Sequence, residues 1–304
     1  MNLEPLYSAF SSIAEHLREN DIMNLGMDTQ TINTSNDIQK KIDILANTLI
    51  INALKSIPNV IGYISEENSN IIFKDNYEKP TRGWIVGFDP LDGSKNVLAN
   101  LTIGTIYGVY DYDKLNDKVL SIVESGYCLY GPSTILVKTL KTNSKECVTL
   151  YHLDSTDTFS FKRELSLPMK NTLYAINMSY NYDKDIQTLL TQMKKSGCTQ
   201  RWVGAMVADC HQILIRGGTF LYPKTNINPR GKIRLLYEAL PFAHIFTILG
   251  GIAMDINHRN ILDYIPFLSL NTTKVHTEIP ILLSTCYSKD EIKTLLDIND
   301  IIKC

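Results

Sequence analysis

Gly83-Trp84-Ile85-Val86-Gly87-Phe88-Asp89-Pro90-Leu91-Asp92-Gly93-Ser94-Lys95-Asn96 is the stretch on which the fold turns. An apolar run stops at Asp89, and Pro90 and Gly93 force a turn with Asp92 held between them. A run bounded in this way predicts a buried strand that delivers two carboxylates and a carbonyl to one point at its C-terminal end. Two hard-oxygen ligands three residues apart suit Mg²⁺ or Mn²⁺, and the Gly93 and Ser94 amides behind them suit a phosphate. Asp-Pro-x-Asp-Gly is equally ordinary turn chemistry, so by itself the segment leaves a metal site and a solvated turn both open.

Outward from this strand, residues 59–64 predict a short strand running into Ser65-Glu66-Glu67, and Ile103 to Tyr110 a further one. Residues 118–130 read as a helix and Thr134 to Thr139 as a strand. Upstream, Leu6 to Leu17 has helical spacing. A polar stretch from Asn20 to Asn36 leads to a second helix, on which Ile38, Ile42, Leu45, Leu49 and Ala53 form an apolar stripe. Ser35 or Asn36 would cap that helix, with Asp37 near its positive end. Lys141 to Lys170 is polar and turn-rich between short β patterns, which places a seam there between residues 1–165 and 166–304. Beyond it come a strand at Leu173 to Ile176, helices at Ile186 to Lys195 and Gly204 to Arg216, a strand at Thr219 to Tyr222, and a helix at Leu240 to Leu249. Pro241 fits the first turn of that last helix and Gly250-Gly251 its end. The alternation predicts an α/β protein with mixed sheets layered between helices.

The 304 residues carry 44% hydrophobic and 20% charged residues at a net charge of −2. No basic patch interleaved with aromatics points to nucleic acid, and no cationic surface to anionic lipid. Cys128, Cys147, Cys198, Cys210, Cys286 and Cys304 form no C-x-x-C pair, which predicts reduced thiols. Met1-Asn2-Leu3-Glu4-Pro5 lacks the basic and apolar regions of a signal peptide. No apolar run approaches the ~20 residues that span a bilayer. A soluble cytoplasmic protein is expected. His211 and His244 lie among apolar residues of expected helices and read as satisfied core histidines rather than metal ligands.

Asp37, Asp43, Glu66, Glu67, Asp89, Asp92 and Glu238 sit at element boundaries rather than in charge runs. Metal-assisted phosphoryl transfer needs such carboxylates in number. Asp37 and Asp43 would point about 120° apart on an unbroken helix, so they are not same-face ligands of one ion. Either one acts behind the other, or the helix starts after Asp37.

With these residues assembled, the chain resembles the fructose-1,6-bisphosphatase family of the lithium-sensitive sugar-phosphatase superfamily. The likeness runs from about Leu6 to the C-terminus. Gly87 to Ser94 matches the superfamily's metal motif, which inositol monophosphatases share. Val203-Gly204-Ala205-Met206-Val207-Ala208-Asp209, Phe220-Leu221-Tyr222-Pro223 and Gly231-Lys232-Ile233-Arg234-Leu235-Leu236-Tyr237-Glu238 resemble the bisphosphatases more particularly. The resemblance implies a layered α-β-α-β-α sandwich and Mg²⁺-dependent hydrolysis of the 1-phosphate of fructose 1,6-bisphosphate, with Mn²⁺ or Zn²⁺ as alternative metals. Glu66, Asp89, Asp92 and Glu238, with the Leu91 carbonyl, would bind the metal. Asp43 and Glu67 would orient and deprotonate water, and Asp37 would support the loop closing the site. Amides around Asp92, Gly93 and Ser94 would hold the departing phosphate. Asn177, Tyr180, Arg201, Tyr222 and Lys232 would hold the remote one, with Met206 beside the sugar. Arg201 is expected to reach the cleft of a neighbouring subunit, which implies a homodimer or homotetramer. Lys232 and Arg234 alternate with apolar residues and should share one strand face. Sedoheptulose 1,7-bisphosphate is the rival substrate. A catalytically dead phosphosugar-binding protein is the rival of another class, against which the complete carboxylate set counts.

The chain also departs from the family. Lys95 stands where a second serine is usual, Trp202 replaces a tyrosine, and Met178-Ser179 replaces Glu-Gly. The family's vertebrate-type enzymes bind AMP through an N-terminal helix, a Lys-Tyr pair and an arginine. This chain starts near the end of that helix, has Gly83-Trp84 at the pair, and has Asp111 near the arginine position. No AMP inhibition by that route is expected.

Overall fold

A computed structural model describes residues 2–32, 38–74, 82–143, 145–168, 170, 172–255, 259–270, 275–287 and 291–292. Helices α1 (Glu4–Glu19) and α2 (Ile22–Leu25) precede a ribbon of β1 (Asp28–Ile32) and β2 (Ile38–Lys40), and α3 (Lys41–Ser56) follows it. Next come β3 (Val60–Ser65), β4 (Ile72–Phe73) and β5 (Arg82–Asp92), then a short 3₁₀ helix, Ser94–Ala99. The chain continues through β6 (Ile103–Asp113), β7 (Lys118–Tyr130), β8 (Thr134–Lys141), β9 (Glu146–Leu153) and β10 (Phe159–Glu164). The second half holds β11 (Leu173–Ala175), α4 (Lys184–Lys195), β12 (Thr199–Gln200), α5 (Met206–Arg216) and β13 (Gly218–Tyr222). It ends with β14 (Ile233–Arg234), a π-helical turn (Leu235–Ala239), α6 (Leu240–Ile248), β15 (Ile252–Met254), a 3₁₀ helix (Ile261–Phe267), β16 (Glu278–Ile279) and β17 (Ile281–Ser284).

An eight-stranded sheet runs β10-β9-β8-β7-β6-β5-β3-β4, and a five-stranded sheet β12-β11-β13-β17-β15. Both are mixed: β3 is parallel to β5 in the first, β11 parallel to β12 and β13 in the second. On one face of the larger sheet lie α1, through Leu6, Phe10 and Ile13, and α3, through Ile42, Ala46, Ile50 and Leu54. Steps of three or four put each set on one stripe, and each fully buried aliphatic contributes ~1.5–3 kcal/mol. Against the opposite face pack α5 and α6, which also touch the smaller sheet, so Ile85 and Tyr110 share an apolar core with Phe220 and Phe246. Helix α4 covers the outer side of the smaller sheet through Ile186, Leu189, Leu190 and Met193. The order is the expected α-β-α-β-α sandwich.

Two local expectations fail. Residues 118–130 form β7, not a helix. Opposite β6, the register slips twice, between Val109/Tyr110 and Asp111/Tyr112, leaving Val123 and Leu120 as extra residues on β7. Two bulges break the period of two and leave apolar spacings that imitate a helix. Within Lys141 to Lys170 the short β patterns are β9 and β10, which extend the large sheet as a hairpin. The second helix begins at Lys41: Ile38 belongs to β2, and the buried stripe runs through Ile42, Ala46, Ile50 and Leu54. The proposed caps Ser35 and Asn36, and Asp37, lie outside the described residues.

The core histidines are satisfied as expected. His211 Nδ1 pairs with the Tyr127 hydroxyl at 2.8 Å and His244 Nδ1 with Ser125 Oγ at 2.9 Å. Burial pushes both down to about 4. No disulfide links the described cysteines, and no described helix is long and apolar enough to cross a membrane.

Candidate active site

Strand β5 carries its ligands past the point where the apolar run stops. Asp89 pairs opposite Ile106 and Asp92 opposite Gly104, so one extra residue bulges the strand between them. The bulge is held from within by the Leu91 amide donating to Asp89 Oδ1 at 2.9 Å, and from β6 by Thr105 Oγ1 donating to the Pro90 carbonyl at 2.8 Å. A bulge re-aims side chains, and here it turns both aspartates to one cleft. Asp92 Oδ2 accepts from the Val207 amide at 2.6 Å, in the first turn of α5. Glu238 arrives from the π-helical turn, its Oε2 accepting from the Arg234 amide at 2.5 Å. Turns of this kind recur where a helix must present one side chain out of phase.

Oxygens of Asp89, Asp92 and Glu238 all lie within 4.8 Å of one another. Burial first, then repulsion from Glu66, holds Asp89 and Glu238 well above the usual carboxylate range. Burial, opposed by the Val207 amide and supported by Glu66, pushes Asp92 up to about 7. Three acidic oxygens gathered in a buried place repel one another unless protonated or joined by a cation. An all-oxygen donor set of this size fits a hard divalent ion.

Asp43 stands at the first turn of α3, with Oδ2 accepting from the Lys40 amide at 2.7 Å. Its Oδ1 is buried away from any backbone donor, and the Ser94 side chain is the hydroxyl that approaches this carboxyl. Burial pushes this carboxyl up to about 7 against the Lys40 amide, with Glu66 adding to the rise. A carboxylate that lines the cleft, with one oxygen fixed and its pKa near neutrality, is fitted to take a proton from water. Glu66 and Glu67 follow β3 into the same cleft. The Glu66 amide donates to the Phe88 carbonyl and the Glu67 amide to Ser65 Oγ, both at 3.2 Å. Gln39 Nε2 donates to Glu67 Oε2.

Gly93 has φ 83°, and a Cβ there would lie 2.4 Å from Cβ of Ala205. Only glycine combines that torsion with that approach. The 3₁₀ helix starting at Ser94 is tied across the cleft by Asn96 Nδ2 donating to the Val203 carbonyl at 3.1 Å. Val203 and Gly204 are in turn held by Asp209, whose carboxylate accepts both amides at 2.9–3.2 Å from inside α5.

At the other end of the cleft an aromatic wall forms. Trp202 stacks on Phe220 at 6.4 Å and 14°, and meets Tyr222 at 6.1 Å. Lys232, Met206 and Lys95 line the same cleft. Arg234 is not among the residues that line it. It is buried, donating to the His276 carbonyl and pairing with Glu278, both at 3.0 Å.

The structure thus gathers Asp43, Glu66, Glu67, Asp89, Leu91, Asp92, Gly93, Ser94, Tyr222, Lys232 and Glu238 around one cleft. Asn177, Tyr180 and Arg201 do not line it. Asn177 Oδ1 accepts the Ser179 amide at 3.0 Å, Tyr180 meets Tyr182 edge-on, and Arg201 is exposed. Sequence reasoning missed Ile38, Gln39 and Phe220. Ile38 and Gln39 had been placed on a helix, and Phe220 carries no polar atom to mark it.

The chain matches the family model "Fructose-1-6-bisphosphatase, N-terminal domain" over residues 1–161 and the corresponding C-terminal domain over residues 167–296. It is 34% identical to mouse fructose-1,6-bisphosphatase 1, covering 97% of this chain and 88% of that one. It is 32% identical to the class 1 fructose-1,6-bisphosphatase of Sulfurihydrogenibium, over 97% and 90%. The crystal structure of Leishmania major fructose-1,6-bisphosphatase in holo form superposes with a TM-score of 0.84 at 27% identity, over 97% of this chain and 93% of that one.

Proposed function

This chain belongs to the fructose-1,6-bisphosphatase family, and on that premise we propose how its cleft removes the 1-phosphate of fructose 1,6-bisphosphate. The observation that carries the reading is the gathering of Asp89, Asp92 and Glu238 within 4.8 Å, with the buried carboxyl of Asp43 in the same cleft. Asp89, Asp92, Glu66 and Glu238, with the Leu91 carbonyl, would hold a divalent metal, for which Mg²⁺ is the first choice and Mn²⁺ or Zn²⁺ the alternatives. When bound, such an ion supplies positive charge for the phosphate oxygens and acidifies water.

The chain's own groups do the rest. The amides of Gly93 and Ser94 hold the scissile phosphate where the glycine leaves the backbone bare. Asp43 Oδ1 takes the proton of the attacking water, while Glu67, oriented by Gln39, fixes that water from the other side. Trp202, Phe220 and Tyr222 flank the sugar. Lys232 neutralises the remote phosphate with Tyr222, and Asn177 and Tyr180, beyond the cleft wall, serve as outer donors. Binding energy at that remote dianion holds the scissile group in line. Arg201, exposed and outside its own cleft, acts in the cleft of a neighbouring copy, so the working unit is a homo-oligomer. AMP does not inhibit by the vertebrate-type route. Asp111, near the position of the AMP arginine, is an acid where that route needs a cation, and it is engaged by the guanidinium of Arg82.

Phosphate release with Mg²⁺ from fructose 1,6-bisphosphate, sedoheptulose 1,7-bisphosphate and inositol 1-phosphate, with an EDTA control, tests the reading. Metal-dependent release with the highest kcat/KM on fructose 1,6-bisphosphate is expected. A higher value on the seven-carbon sugar transfers the assignment to that substrate, and no release from any of them overturns it. AMP titrated into the millimolar range should leave the rate unchanged.

A further inference from the structure

Behind the phosphate cradle lies a second cavity, of about 740 Å³. That is within the ~300–1,000 Å³ of small-molecule sites. The end of α1, α2, the tail of the Ser94–Ala99 helix and the β7–β8 hairpin enclose it. Leu17, Val97 and Tyr130 give it an apolar floor, while Arg18, Ser133 and His152 make its walls polar. No carboxylate is among its described lining residues. One Nη of Arg18 meets Asp157 at 3.2 Å, and a guanidinium has five N–H donors, so donors remain beyond that contact.

We propose that this cavity is a second ligand site, which takes a small organic anion with an apolar body, and that its occupancy is coupled to the cleft through the 3₁₀ helix. The charge sense follows from the guanidinium donors that Asp157 leaves over and from the hydroxyls beside them, with no carboxylate among the lining residues themselves. The apolar body follows from the floor, where polar groups would lose water without a partner. Coupling follows from the reach of one short element. Ser94 lines the cleft and Val97 the cavity, and between them the Asn96 amide closes on the Gly93 carbonyl at 2.7 Å. A body pressing on Val97 therefore bears on the amides that hold the scissile phosphate. Coupled sites of this kind typically change each other's affinity by about 5- to 150-fold, and by the same factor in both directions.

The probe is 8-anilinonaphthalene-1-sulfonate, an aromatic anion, titrated by fluorescence into the full chain with Mg²⁺. One probe per chain is expected, with Kd raised about tenfold or more both in Arg18→Gln, which removes the cation, and in Ser133→Trp, which fills the space. Fructose 6-phosphate should change the probe's Kd by the factor by which the probe changes that of fructose 6-phosphate. No saturable binding, or binding unaltered in both variants, overturns the site. Probe binding indifferent to bound fructose 6-phosphate overturns the coupling. A change of oligomeric mass in Ser133→Trp identifies the cavity as a subunit contact and overturns it as a ligand site. The probe titration needs no turnover, so it stands or falls separately from the assigned reaction.

Discussion

Asp43 commits one oxygen to the Lys40 amide and lines the cleft, while Asp92 is bound to the Val207 amide and stands among the metal-ligand candidates. The two carboxylates should therefore fail differently. Asp43→Asn keeps the Lys40 bond but not the base, so kcat should fall about 10²–10⁴-fold with Mg²⁺ affinity little changed. Asp92→Ala should lower kcat at least ~10²-fold and weaken Mg²⁺ binding as well. Steady-state kinetics beside calorimetric Mg²⁺ titration separates them, and near-normal turnover in either variant refutes its role. A pH dependence follows too. In the metal-free protein Asp43 and Asp92 rise from 3.8 unfolded to about 7 folded. Their contribution to stability is present below the lower value and lost as pH climbs through the higher, because the folded state holds the extra protons. A cation needs the ionised forms and offsets that loss. The rise in Tm on adding Mg²⁺ should thus be larger at pH 8 than at pH 6, and an equal or smaller rise at pH 8 contradicts the assignment. Asp89, Asp92 and Gly93 were legible because they fall within five residues and stand among turn residues. The aim of Asp43 was not, since it depends on where α3 begins.

The elements that misled are those whose neighbours broke their period. Strand β7 carries two extra residues opposite β6, and a pattern of two interrupted twice mimics one of 3.6. Strand β5 is bulged as well, yet it was read correctly because Pro90 and Gly93 announce the irregularity. A measurable consequence sits at the start of the following 3₁₀ helix. Gly93→Ala meets both a positive φ, at ~1–2 kcal/mol, and the methyl of Ala205. Ala205→Gly removes the contact and leaves the torsion. In a double-mutant cycle followed by denaturant unfolding, the pair should be less destabilised than Gly93→Ala alone and still less stable than the parent. Full recovery would mean the torsion costs nothing there, and no recovery that the methyl contact is immaterial.

At the level of the whole molecule, the layer order was legible from alternating helix and strand patterns, while the size of the large sheet was not. The hairpin β9–β10 shows in the sequence only as short β patterns in a polar stretch, which do not say which sheet they join. An arginine that serves another copy is likewise invisible to spacing. If Arg201 does so, the purified chain should show a mass by light scattering that is a multiple of 34.4 kDa. Arg201→Ala should raise KM with kcat little changed. Mixing it with Asp92→Ala under subunit exchange should then return low-KM sites that neither variant has, whereas a mixture with no such sites places Arg201 in its own cleft. One core joins Ile85 and Tyr110 to Phe220 and Phe246, and the cleft closes where Gly93 of the first half touches Ala205 of the second. A chain severed after Glu164 would leave each fragment with half a core and half a catalyst. Neither should work alone, and the two supplied together should recover turnover only as fast as they find each other. Phosphate release would then serve as a meter of encounter between separate polypeptides.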